Sequence, residues 1–87
     1  MTFYTYMLRN YKNKDSAAGT LAGSMKREKD TFPRNGDGKY AAWHEIIRAY
    51  LRGKKIHGIY LETFEKCWLA YVQEEKARKN GYARKTD

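Results

Sequence analysis

Apolar residues recur along this chain at helical spacing almost throughout, and no stretch alternates as a half-buried strand does. In residues 3–11, Phe3, Tyr4, Met7, Leu8 and Tyr11 fall within one arc of a helix, and Thr2 is placed to cap its start. Residues 10–14 form a polar connector. Asp15 and Ser16 are cap candidates for a second helix over 17–29, with Ala18, Leu21, Ala22 and Met25 on its apolar side. Gly19 and Gly23 each cost about 1 kcal/mol relative to Ala in a helix, so this element has to lean on its neighbours.

Residues 30–38 break the pattern. Pro33 disfavours the α conformation at Phe32, and Asn35-Gly36 and Asp37-Gly38 are turn dipeptides. The reading is a loop with Phe32 tucked into the core. A third helix over 39–52 is the most periodic: Tyr40, Trp43, Ile46, Ile47, Tyr50 and Leu51 share one side and His44, Arg48 and Arg52 the other. Gly53 suits the left-handed position that ends many helices. Residues 54–61 read as a short helical turn or an extended connector. Thr63 is the cap candidate for a final helix over 63–80, striped by Phe64, Cys67, Trp68, Tyr71 and Val72, with Gly81 as its stop.

These elements predict an all-α protein, a compact bundle of four to five short helices. One helical domain covers 1–81 and a basic tail covers 82–87. Its expected core is Phe3, Met7, Leu21, Phe32, Trp43, Ile46, Ile47, Tyr50, Phe64, Trp68 and Tyr71. Truncating Trp43 or Trp68 to Ala is expected to cost about 3–5 kcal/mol. Tyr6, opposite the first stripe, and Tyr82 in the tail are expected at the surface.

Composition narrows the class. At 87 residues one domain is the limit, and eight Tyr, three Phe and two Trp exclude a disordered chain. A single Cys excludes an internal disulfide framework and a cysteine-rich zinc site. No apolar run approaches the roughly 20 residues of a membrane span or the apolar stretch of a secretion signal. The expectation is a soluble cytoplasmic protein with no membrane partner.

Charge sharpens the picture. The formal net charge is +8, from 18 Lys and Arg against 10 Asp and Glu. Residues 39–57 carry +4 and residues 76–87 another +4, while cations and acids elsewhere cancel. Such a surplus fits a polyanion surface, in which cationic side chains contact phosphates and release counterions. The residues placed to do so are Arg48, Arg52, Lys54, Lys55, Lys76, Arg78 and Lys79. A solvated helix face with an i, i+3 pair between Glu45 and Arg48 is the ordinary alternative. One footprint requires the two stretches to meet on one wall of the bundle.

Candidates for chemistry are few. His44 and His57 are thirteen positions apart and have no cysteine or histidine partner at ligand spacing, so neither a metal nor a cofactor is expected. Cys67 lies on the apolar stripe before Trp68 and reads as a buried thiol. Glu74 and Glu75 are adjacent and point apart on a helix. No glycine spacing matches a phosphate loop or a nucleophile elbow. No catalytic residue is expected, and the chain does not read as an enzyme.

The ordered pieces resemble the YozE-like family, small bacterial proteins of unknown function. Phe3-Tyr4-Thr5-Tyr6 with Leu8 and Tyr11 resembles the family's aromatic start, and Asp30-Thr31-Phe32-Pro33 its acid-x-x-Phe-Pro loop. Glu45-Ile46 with Tyr50-Leu51 resembles its third-helix signature, and Thr63-Phe64 with Trp68 and Tyr71 its final helix. The likeness spans about residues 2–72. It implies a bundle like the sterile alpha motif, with no catalytic residues or ligand attached. Domains similar to that motif associate with other proteins, often with copies of themselves, and some bind nucleic acid. The additions around 35–39, the basic exit of the third helix and the basic extension after Val72 depart from the pattern. Two functions therefore stand: a small basic accessory protein binding DNA or RNA largely without regard to sequence, or a protein-interaction module that takes an acidic partner or itself.

Overall fold

The computed structural model describes residues 1–36, 38–54 and 58–85, with side chains at all of these except 58–59 and 79–85. Four helices follow in order: α1 (Phe3–Tyr11), α2 (Ala17–Arg27), α3 (Tyr40–Gly53) and α4 (Gly58–Lys85). The described residues include no strand. The all-α expectation holds, but the last helix is not short. At 28 residues and 1.5 Å per residue, α4 is about 42 Å long and sets the 46 Å long axis of the molecule.

Local sequence explains the helix starts. Thr2 is extended and its hydroxyl accepts the Thr5 amide, while Ser16 does the same for Gly19. Each satisfies a donor that a helix N-terminus otherwise leaves unpaired. α3 begins differently, from Lys39 in the left-handed conformation with no side-chain cap. At the other end α4 corrects two expectations. It begins at Gly58, so Thr63 lies inside the helix, and it passes through Gly81. Half-buried Leu61 packs against the core and favours the earlier start. A lone glycine costs only about 1 kcal/mol and does not by itself end a helix.

Phe3 is the hub of the core. Fully buried, its ring lies 5.5 Å from Phe64, 5.1 Å from Trp68 and 5.5 Å from Tyr71. Met7, Leu21, Met25, Ile47 and Leu51 fill the space around these rings, and Phe32 from the loop is buried as expected. Two positions differ from the helical-wheel reading. Tyr6 is buried, 5.4 Å from Tyr71, because α1 is covered by α2 on one side and α4 on the other. Ile46 is 47% exposed, since the inward arc of α3 is centred on Ile47 and Leu51, with Trp43 and Tyr50 only half-buried.

A buried polar network ties the ends together. Asn35, 4% exposed, accepts the Phe3 amide at Oδ1 (2.8 Å) and donates from Nδ2 to the Tyr71 hydroxyl (2.7 Å). Tyr71 in turn donates to the Met1 carbonyl. The Met1 ammonium donates to Glu75 Oε1 at 2.9 Å, both groups largely out of water. Asn35 thus caps α1 from a distant loop, a role its turn dipeptide did not reveal.

The two α2 glycines are not equivalent. A Cβ on Gly19 would fall 1.9 Å from the Lys14 carbonyl oxygen, where the α1–α2 connection closes on the helix. One on Gly23 would meet nothing nearer than 3.9 Å. Gly23→Ala is therefore expected to raise stability by about 0.5–1 kcal/mol through helix propensity, and Gly19→Ala to lower it. Urea midpoints of both variants check this, and equal gains would refute the crowding at Gly19.

Candidate interaction surface

α3 and α4 run antiparallel. Tyr40 lies 6.3 Å from Tyr71 at one end. Midway, His44 stacks on Phe64 (5.4 Å) and adjoins Trp68 (5.9 Å), and Arg48 reaches Glu65 beyond it. Arg52 and Lys54 follow toward the start of α4, whereas Lys76 and Arg78 lie past Val72 toward its end. From Glu65 to Lys76 is eleven residues, about 16 Å along the helix. The two cationic stretches therefore lie toward opposite ends of this helix pair, separated along its axis.

Carboxylates hold several of these cations. Arg48 Nε is 3.1 Å from Glu65 Oε2, so its pair is with α4 and not with Glu45 as the i, i+3 reading supposes. Lys54 Nζ is 2.9 Å from Glu28 Oε1 and 5.4 Å above the Tyr50 ring, and its pKa is raised, chiefly by the hydrogen bond to Glu28. Arg78 Nη1 is 4.0 Å from Glu75 Oε2. Arg52 and Lys76 are exposed and have no ion pair among the described residues. Lys55 and the Lys79 side chain lie outside the described residues, as do His57 and the Tyr82 side chain.

His44 is held through Nε2, with a second carboxylate near Nδ1. Nε2 lies 2.7 Å from Glu65 Oε1 and Nδ1 3.5 Å from Glu45 Oε1. The Nε2 contact orients the ring across the α3–α4 boundary. Its role is to join α3 to α4 beside Arg48. No cluster among the described residues has the makings of a metal site. Cys67 is buried against α1, and burial pushes its thiol pKa up, away from the thiolate a nucleophile needs.

Apolar side chains remain at the surface on α3 and α4. Leu69 is 60% exposed and edges a cleft between the two helices whose walls include Tyr40, Trp68 and Val72. On the outer side of α3, Ala42, Ile46, Ala49 and Gly53 are all exposed, flanked by half-buried Trp43 and Tyr50. Ile46 is exposed although the helical period places it with the core residues, because period alone does not say which arc faces inward.

A family model described as YozE SAM-like fold matches residues 2–73. The chain belongs to that family. No match was found among curated proteins or among solved structures. Membership in the YozE SAM-like family accounts for the helical fold and brings no established function with it. The match ends just after Val72, so Lys76, Arg78 and Lys79 lie beyond it. No helix among the described residues is long and apolar enough to cross a membrane.

The interface between α1 and α4 sets an alkaline limit. Burial and the hydrogen bond with Tyr11 raise the Tyr6 pKa far above 10.0, and burial raises Cys67 above 9.0. Both groups bind their protons more tightly folded than unfolded. Their contribution is intact below about pH 8 and is lost as pH rises through 9 and 10 and beyond. Lys54, raised by Glu28, changes in the same direction. Thermal midpoints are expected to hold up to pH 8 and fall steadily to pH 11. Tyr6→Phe removes one titrating group and is expected to shallow the fall; an unchanged slope would refute the assignment to Tyr6.

Proposed function

We propose that this domain is a non-enzymatic protein-binding module of the cytoplasm that docks through the outer face of α3. The observation that carries this reading is Ile46, 47% exposed and in line on the outer side of α3 with exposed Ala42, Ala49 and Gly53. Exposed Glu45 and Arg52 border this face on one side. They leave it apolar at the centre and charged at the margin, as protein interfaces are. The half-buried rings of Trp43 and Tyr50 at its edge add the aromatic area that interface centres favour.

A photoreactive residue placed at position 46, in the cells that make the protein, tests the reading. It is expected to form protein adducts that a probe at exposed Thr20 on α2 does not form, and that Ala49→Glu in the same chain removes. No adduct at 46, or the same adducts from both positions, would overturn it.

Nucleic-acid binding is the second reading, favoured by the net charge of +8 and by exposed Arg52 and Lys76. Two phosphate contacts give a slope of about −2 for log affinity against log salt on duplex DNA. Titration of mixed-sequence DNA and RNA at two salt concentrations measures it. Absence of binding at low salt, or a flat slope, would remove phosphate contact as its basis.

A further inference from the structure

The outer face of α3 has a regular register. Ala42, Ile46, Ala49 and Gly53 are spaced four, three and four residues apart, the spacing with which one helix meets another along a seam. The residues flanking this seam differ on its two sides. Trp43 and Tyr50 lie on one side and Glu45 and Arg52 on the other, each pair seven residues apart. Reversing the helix exchanges Ile46 with Ala49, Ala42 with Gly53, Glu45 with Arg52, and Trp43 with Tyr50. The face is therefore complementary to its own antiparallel copy in size, in charge and in aromatic character.

Resting on the docking reading above, we propose that the partner for this face is a second copy of the chain, with the two α3 helices antiparallel about a twofold axis. Ile46 of one protomer seats over the partner's Ala49, and Ala42 meets the partner's Gly53, so small residues let the helices approach closely. Glu45, 75% exposed, faces the partner's Arg52, and the reciprocal pair forms on the other side of the axis. Within one chain the only ionic neighbour of Glu45 among the described residues is His44 Nδ1 at 3.5 Å, and Arg52 has none. Trp43 meets the partner's Tyr50, which stays anchored by the hydrogen bond between its hydroxyl and that of Thr31 (3.0 Å).

Charge and area set the strength. Each copy carries +8, so two copies repel at long range, and only the two Glu45–Arg52 contacts oppose this locally. One helix face from each protomer buries less than about 1,200 Å², the low end of specific interfaces. The dimer is accordingly weak, to be sought at chain concentrations of roughly 0.1–1 mM. Salt at about 0.5 M shortens screening to a few ångströms and suppresses the net repulsion, so association is expected to be no weaker there than at about 0.05 M.

Analytical ultracentrifugation across that range provides the test. The intact chain is expected to shift toward twice its monomer mass, and Ile46→Lys to remain a monomer with an unchanged thermal midpoint. Glu45→Arg and Arg52→Glu are each expected to weaken association at least fivefold, although Arg52→Glu lowers the net charge. An equimolar mixture of the two is expected to restore it, because positions 45 and 52 then carry opposite charges across both reciprocal contacts of the mixed dimer. A strict monomer at about 1 mM in both salts would overturn the self-association proposal, leaving the docking reading to the adducts at position 46. A dimer indifferent to Ile46→Lys would overturn it by placing the contact elsewhere. A dimer that needs Ile46 but gains nothing from mixing would overturn the antiparallel register alone.

Discussion

The seat of Phe3 on α4 determines where every other element goes. Its ring fills the space between Phe64, Trp68 and Tyr71, and its amide is held by Asn35, which also holds the Tyr71 hydroxyl. One residue therefore couples the start of α1, the loop before α3 and the middle of α4. Losing the ring would open a cavity among aromatic side chains, and losing Asn35 would strand a buried amide and a buried hydroxyl. Each is among the larger penalties a domain of this size meets. With α1 so placed, α2 closes over it and over α4, and α3 has the flank of α4 that remains.

Much of this was legible because it depends on neighbours in sequence. Thr2 and Ser16 cap the helices they precede, and Pro33 keeps Phe32 out of the helix and presents it to the core. The misreadings share a different cause. Tyr6 and Ile46 were misplaced because a helical period identifies an apolar arc but not its rotation about the axis. That rotation is set by which helices flank it. Asn35 could not be found from its neighbours, because its partners are Phe3 and Tyr71, 32 and 36 positions away. α4 runs past Gly81 because one glycine is too weak a signal to stop a helix.

The charge pattern along the chain maps onto the surface only in part, for a related physical reason. Net charge adds over the chain, whereas a binding surface depends on which charges remain unpaired and adjacent. Arg48 and Lys54 stand in a basic stretch of sequence but face Glu65 and Glu28 in space. The antiparallel course of α3 and α4 then carries the second basic stretch away from the first. The surplus of +8 still acts at long range, raising encounter rates with any polyanion. It does not single out a footprint. In the third helix, the exposed apolar residues distinguish one face from another better than the cations do.

A thin core and an exposed α3 are two sides of one constraint. A chain of about this length buries only some 60–65% of its unfolded surface, and here the core gathers around the aromatic hub of α1 and α4. α3 contributes Ile47 and Leu51 to the core, leaving Trp43 and Tyr50 half covered and Ile46 in water. Among the described residues no element packs over that outer face. Evolution could have filled it with lysine and glutamate at little cost to the fold, since those side chains suit an exposed helix. Alanine, isoleucine and glycine form its centre instead, bordered by Glu45 and Arg52, in a register that fits its own reversal.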